Sequence, residues 1–178
     1  MSRFSSIQPE AATGEAAEVF AKIRKAIGKV PNAYAVIGTH NPAALGSMLA
    51  TEGVLAAGSL SKPDIEAVKL AVSEVAGCDY CVAAHTLAGK FAGLSPEAMK
   101  QVRAGGPTGD AKRDALVHFV HGLVGTRGTV AESEVDAVRA AGYTERQLID
   151  VALAVSSITF TNLVNRINDT TLDFPAVA

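Results

Sequence analysis

The chain has 178 residues, 48% of them hydrophobic and 19% charged, with a formal net charge of −2. A chain of this length forms one domain that buries roughly 70% of its unfolded surface without needing a cross-link, and so small a charge excludes an electrostatic case for nucleic acid or an anionic membrane. The charged fraction is low for an isolated soluble monomer, which predicts faces buried against other subunits.

In chain order, the first residues lead into Gln8, Pro9 and Glu10 without the hydrophobic segment of a signal peptide, and no run approaches the ~20 apolar residues of a membrane span. The expected location is therefore cytoplasmic. Lys22, Arg24 and Lys25 form the densest basic group and read as a solvated helix face. Asn41-Pro42 supplies a cap and a first-turn proline for a helix that Gly58 can close. Ser61, Pro63 and Asp64 open the next helix, with Leu60 and Ile65 as a hydrophobic staple, and it runs to about Ala76 before Gly77. Cys78 opens a helix to about Ala92, Ser95-Pro96-Glu97 starts a short one, and Gly105-Gly106-Pro107 breaks the chain.

An apolar helix follows from about Asp110 to Val124, and His118 and His121 on it read as packing residues rather than a ligand pair. Thr129 to Glu132 and Thr144 to Gln147 both match capping boxes. The last helix, Glu145 to about Asn168, is nearly uncharged in its middle and reads as buried. The non-periodic tail beyond it is expected to pack on the surface or on a neighbouring subunit. Strand alternation is nearly absent, so the expected fold is all-α, a helical bundle in a single domain over residues 1–178. Leu70-Ala-Val-Ser73 recurs as Leu153-Ala-Val-Ser156, with Ser61 in register with Thr144. Either a helix pair is duplicated or two apolar helices coincide; in that register Val164 and Asn168 replace Cys81 and His85.

Cys78 and Cys81 are the only cysteines, and His85 follows one helical turn later, on the same face. In a reducing compartment a Cys-x-x-C is more often catalytic or metal-binding than structural. Cys81 falls in the first turn of its helix, where free N–H groups and the dipole favour a thiolate, and His85 is placed to take its proton. Such a dithiol attacks a peroxide or a disulfide and then closes on itself. A tetrahedral zinc shell of Cys78, Cys81, His85 and Glu66 is the open alternative, although His40, His118 and His121 offer no second ligand pair at the usual spacing. A thioredoxin fold is disfavoured because no strand precedes the motif. Gly125-Thr-Arg-Gly128 is too short to be a phosphate loop. Glu66 is either a solvated helix-start carboxylate or part of the site, with Glu74 as the alternative carboxylate. Ser73 shares the Glu66 stripe and reads as a helix-packing serine that can also orient a water.

The pattern Glu-x11-Cys-x2-Cys-x3-His, with Gly77 before the first cysteine, resembles the alkylhydroperoxidase D-like (AhpD-like) proteins of the carboxymuconolactone decarboxylase superfamily. The resemblance is strong over Ser61 to Leu94. It implies an AhpD-like bundle assembled as a trimer or hexamer. It also implies that Glu66, through a water and His85, deprotonates Cys81. Cys81 would then react with the peroxide, and Cys78 would resolve its sulfenic acid. Tyr80 stands where some members carry a second histidine, which leaves a proton-relay role there open. The implied activity is thiol-dependent hydroperoxide reduction. No flavin, haem or nicotinamide site is legible, so electrons are expected from a thiol or dithiol reductant or a redox protein. The alternatives are a disulfide reductase or redox adaptor, and a non-enzymatic zinc-stabilised or redox-sensing oligomer.

Overall fold

The computed structural model describes residues 2–175 and 177, and their regular structure is entirely helical. After a 3-10 turn at Pro9–Ala11 come α1 (Gly14–Ile27), α2 (Asn32–His40), α3 (Pro42–Ala56), α4 (Lys62–Val75) and α5 (Asp79–Phe91). These are followed by α6 (Pro96–Ala104), α7 (Ala111–Gly125), α8 (Glu132–Ala140) and α9 (Glu145–Asn168). The expected caps form where small polar residues precede the helices: Asn41 accepts from Ala44 N–H (2.9 Å), Ser61 from Asp64 (3.2 Å) and Ser95 from Ala98 (3.1 Å). Thr144 and Gln147 close both arms of their capping box. Thr129 does not cap a helix. It lies in the turn that ends α7, where Gly128 N–H returns to Leu123 C=O at 2.7 Å, so α8 starts later and Ala131 precedes it without a side-chain cap.

The helix surrounded on all sides is α4, which packs on α5, α6, α7 and α9. Ala67, Val68, Leu70 and Ser73 are fully enclosed, and each aliphatic side chain buried this way contributes roughly 1.5–3 kcal/mol. Its buried charges are paired: Asp64 with Arg113 Nε at 3.0 Å, and Lys69 with Glu52, whose second oxygen accepts from Ser157 at 2.8 Å. A second cluster, with Phe20, Ile37, Leu45 and Met48, joins α1, α2 and α3. Tyr34 of α2 packs against both clusters.

The expectation of a buried last helix holds for only one side of α9. Val151, Ala154, Ile158, Asn162 and Asn165 face the bundle, whereas Ile149, Leu163 and Ile167 are more than half exposed. This helix also corrects the reading that no segment is apolar enough for a membrane: by length and composition alone it passes, with a mean hydropathy of 1.4. Its inward amides serve the bundle, since Asn162 Nδ2 donates to Ser73 Oγ (3.3 Å) and Asn165 Nδ2 to Cys81 Sγ (3.3 Å). The proposed helix-pair repeat does not carry through either. Ser61 and Thr144 cap equivalent starts, but α9 continues unbroken past the point where Gly77 separates α4 from α5. The tail, as expected, packs on the surface. Thr171 accepts from Asn32 Nδ2 (2.9 Å), and Asp173 takes the Lys29 ammonium (3.1 Å).

Candidate active site

Gly77 makes the break that aims the cysteines. Its φ is +62°, a conformation that L side chains rarely adopt, and a Cβ there would meet Arg166 Nη1 at 2.6 Å. Arg166 lies against the end of α4, donating to the carbonyls of Ala76 and Gly77. Cys78 is consequently the N-cap of α5, not a residue inside it, and its sulfur accepts the Cys81 N–H at 3.4 Å. The helix-start stabilisation expected for the Cys81 thiolate therefore falls to Cys78.

The two sulfurs are 2.6 Å apart and hydrogen-bonded, and each residue is only 2% exposed. The bond from Cys81 pulls the Cys78 thiol below its usual range; burial opposes this, while the Cys81 N–H and the Arg166 charge reinforce it. The same bond pushes Cys81 upward, with burial and the Cys78 charge adding to the rise and Asn165 opposing it. Of the two thiols, Cys78 is therefore the one that gives up its proton more readily.

Glu66 and His85 come together across the α4–α5 contact, with Glu66 Oε2 at 2.8 Å from His85 Nδ1. They meet directly, at hydrogen-bonding distance. Burial alone would raise the Glu66 carboxyl, but the facing His85 and then Lys69 outweigh it and hold it below its ordinary value. Nδ1 is thereby committed to Glu66 and Nε2 is left for chemistry.

Cys81 and His85 line a cavity of about 190 Å³ whose walls include Ile27, Tyr34, Tyr80 and Phe174. Tyr80 closes one side. Its hydroxyl accepts from Ala33 N–H (3.1 Å) and donates to Asp173 Oδ1 (2.6 Å), and Phe174 packs edge-on against its ring. With both bonds made, that hydroxyl is held in place rather than offered to a proton relay.

Residues 42–108, which carry Glu66, Cys78, Cys81 and His85, match the model of the carboxymuconolactone decarboxylase family. The whole chain is similar to a peroxidase-related protein with an alkylhydroperoxidase AhpD core from Ralstonia eutropha, with a TM-score of 0.84 and 21% identity over 97% of this chain and 92% of that one. The chain has the AhpD-like fold. It is also similar to a peroxidase-related protein from Silicibacter (TM-score 0.82, 21% identity, covering 96% and 91%) and to the debrominase Bmp8 (0.78, 17%, covering 94% and 90%). No curated protein matches it in sequence.

Within this AhpD-like bundle the other flagged residues lie apart from the thiols' partners. Glu74 pairs with Arg103 Nε at 2.7 Å, and Ser73 is enclosed against Asn162. His118 meets Glu134 (3.1 Å) on the surface, and His121 bonds Val102 C=O (3.2 Å). Among the described residues no three His, Cys, Asp or Glu side chains group to hold a metal. Sequence reasoning missed Asn165 and Tyr34. Asn165 had a faint signal in the asparagine-rich end of the last helix. Tyr34 had none. Burial and the charges of Glu52, Glu66 and Cys81 push its phenol up to about 12.

Proposed function

We propose that this protein is a thiol peroxidase that reduces small organic hydroperoxides through a Cys78–Cys81 dithiol/disulfide cycle. The observation carrying this reading is a thiol, Cys81, at the base of an aromatic-walled cavity with a partner sulfur 2.6 Å behind it. Cys81 attacks the peroxide oxygen as its proton passes to the Cys78 thiolate. Cys81 becomes a sulfenic acid and the alkoxide leaves, taking a proton from His85. Cys78 then attacks the Cys81 sulfur, the S–O bond breaks, and the Cys78 proton leaves with hydroxide as water. The peroxide gains two electrons and the dithiol becomes a disulfide. Glu66 holds the imidazole through Nδ1, so that Nε2 moves the proton.

The cycle is proposed for the cytoplasm, where a thiol or dithiol donor restores the pair. A homotrimer or hexamer is proposed to cover the exposed side of α9, where Ile149, Phe160, Leu163 and Ile167 lie. Mass spectrometry and thiol counting after one equivalent of cumene hydroperoxide test the cycle. Wild type should lose both thiols as an intramolecular disulfide, and Cys78→Ser should trap a sulfenic acid on Cys81. Two unreactive thiols would refute it, and a disulfide formed only with an oxidised protein would support the disulfide reductase instead.

A second reading is favoured by the aromatic walls and by the fold shared with a debrominase seen with a tribromopyrrole. The same dithiol can transfer two electrons to a small halogenated ring: the carbon–halogen bond breaks, the ring takes a proton, and halide leaves as the disulfide forms. Halide release, absent with the hydroperoxide, distinguishes the two.

A further inference from the structure

Cys78 and Cys81 touch each other but line different cavities. Cys81 borders the aromatic cavity, and Cys78 does not. Cys78 borders a cleft of about 410 Å³ whose other walls include Asp79, Arg166, Thr170 and Leu172, and Cys81 does not reach it. Tyr80 and Asn165 line both and form the partition between them. The tail completes that partition, with Thr170 and Leu172 on the cleft side and Phe174 on the cavity side. Asp173, between them, is held by the Tyr80 hydroxyl at 2.6 Å and by Lys29 at 3.1 Å.

Sulfur exchange is an in-line displacement. The incoming thiolate approaches one sulfur on the side away from the sulfur that leaves. From the cleft it can reach only Cys78, with Cys81 leaving. From the aromatic cavity it can reach only Cys81, with Cys78 leaving. We propose that the dithiol is served from two sides: the oxidising substrate enters the aromatic cavity to Cys81, and a slender dithiol reductant enters the Arg166 cleft to Cys78. The first half rests on the peroxidase reading; the second concerns only the disulfide.

Two effects compete in choosing the side. Leaving-group strength favours attack on Cys81, because Cys78 as the departing thiolate keeps the Cys81 N–H and the Arg166 charge. Access favours attack on Cys78. The cleft is the roomier of the two spaces, and its Arg166 guanidinium, which acts on the Cys78 sulfur, is set against the carboxylates of Asp79 and Asp169. The aromatic cavity would strip the incoming thiolate of water beside the Glu66–His85 pair. His85, on the Cys81 side, offsets the poorer leaving group by protonating Cys81 as it departs.

The chemistry balances with a dithiol donor. One donor thiolate bonds to Cys78, the Cys78–Cys81 bond breaks, and Cys81 takes a proton. The second donor thiolate then attacks the donor sulfur of the mixed disulfide and releases Cys78. The donor ends as a cyclic disulfide, and two electrons have passed to the protein.

The test reads the two half-reactions separately in the full chain. Protein oxidised with diamide is reduced by dithiothreitol, and reduced protein is oxidised by cumene hydroperoxide, both followed by stopped-flow thiol counting. Thr170→Trp fills the cleft and should slow reduction at least tenfold relative to oxidation. Ile27→Trp fills the aromatic cavity and should shift the ratio the opposite way. Leu172→Trp, on the exposed tail, repeats the first arm if Thr170→Trp does not fold. Equal slowing of both half-reactions by each variant, or slower oxidation alone in the cleft variants, would overturn the two-sided assignment. If wild type consumes no hydroperoxide, the peroxidase reading fails. The reduction arm still decides the cleft: tenfold slowing by Thr170→Trp and not by Ile27→Trp supports it, and any other pattern overturns it.

Discussion

Glu66 Oε2 and His85 Nδ1 meet at 2.8 Å, although 19 residues and a helix break separate them in the chain. The pairing occupies Nδ1, leaves Nε2 free of Glu66, and holds the carboxyl below its ordinary value. Removing it should act on both rate and stability.

His85→Gln and Glu66→Gln should each slow thiol oxidation by cumene hydroperoxide about 100-fold, the lower end expected for losing a positioned acid–base group. Rapid-mixing thiol counts check this. The Glu66 carboxyl lies below its ordinary 4.5 in the folded protein, so its stabilisation is complete above that value and is lost as pH falls through the lower folded value. Urea unfolding should show Glu66→Gln less stable by about 1–3 kcal/mol near neutral pH, with the gap narrowing as pH falls below 4.5.

The electrostatics of the cysteines predict which one is alkylated first. Iodoacetamide should label Cys78 with a pH midpoint below the ordinary thiol value of 9.0. In Cys81→Ala the strongest cause of that lowering is gone, and the midpoint should rise. Peptide mapping across a pH series reads both outcomes. An unchanged midpoint would show that Cys81 does not hold the charge on Cys78.

Asn165 donates to Cys81 Sγ at 3.3 Å and opposes the upward push on that thiol. Asn165→Leu removes the donor while filling the space. A lost bond to a developing thiolate costs about 1.5 kcal/mol, so oxidation should slow roughly tenfold. Circular dichroism should show the helical content retained.

Tyr80→Phe leaves the Ala33 N–H without its acceptor and releases Asp173. The expected loss is about 1–3 kcal/mol, a Tm lower by roughly 3–10 °C in a chain of this size. Asp173→Asn should lose less, because the bond to Ala33 survives. Thermal melts of the two variants order the contributions.

Glu52→Leu should be among the more damaging single changes outside the site. It strands the Lys69 ammonium, whose side chain is 5% exposed, at a cost of about 3–5 kcal/mol. Adding Lys69→Met should restore most of that stability, since the buried charge then disappears together with its partner.

Most of the helix starts were legible because each depends on a few adjacent residues. Asn41, Ser61, Ser95 and Thr144 cap their helices through bonds that close within three positions. Thr129 misled because its segment was claimed by the exit turn of α7, and the capping pattern does not carry that competition. The apolar middle of α9 was visible, but one apolar helix looks the same in sequence whether one side or all of it is covered.

The chain's own spacing determined that Cys78, Cys81 and His85 share the start and one face of a helix, because 3.6 residues per turn decides that locally. It also determined that Gly77 breaks the chain before them, through the backbone freedom of glycine. Only the tertiary structure decided the rest. Cys78, not Cys81, receives the capping N–H and the Arg166 charge; Glu66 reaches His85; and Tyr34, Asn165 and Phe174 close the space around the thiols. These contacts join α2, α4, α5, α9 and the tail, segments far apart in the chain. They depend on how buried faces pack, and no local period or spacing encodes that.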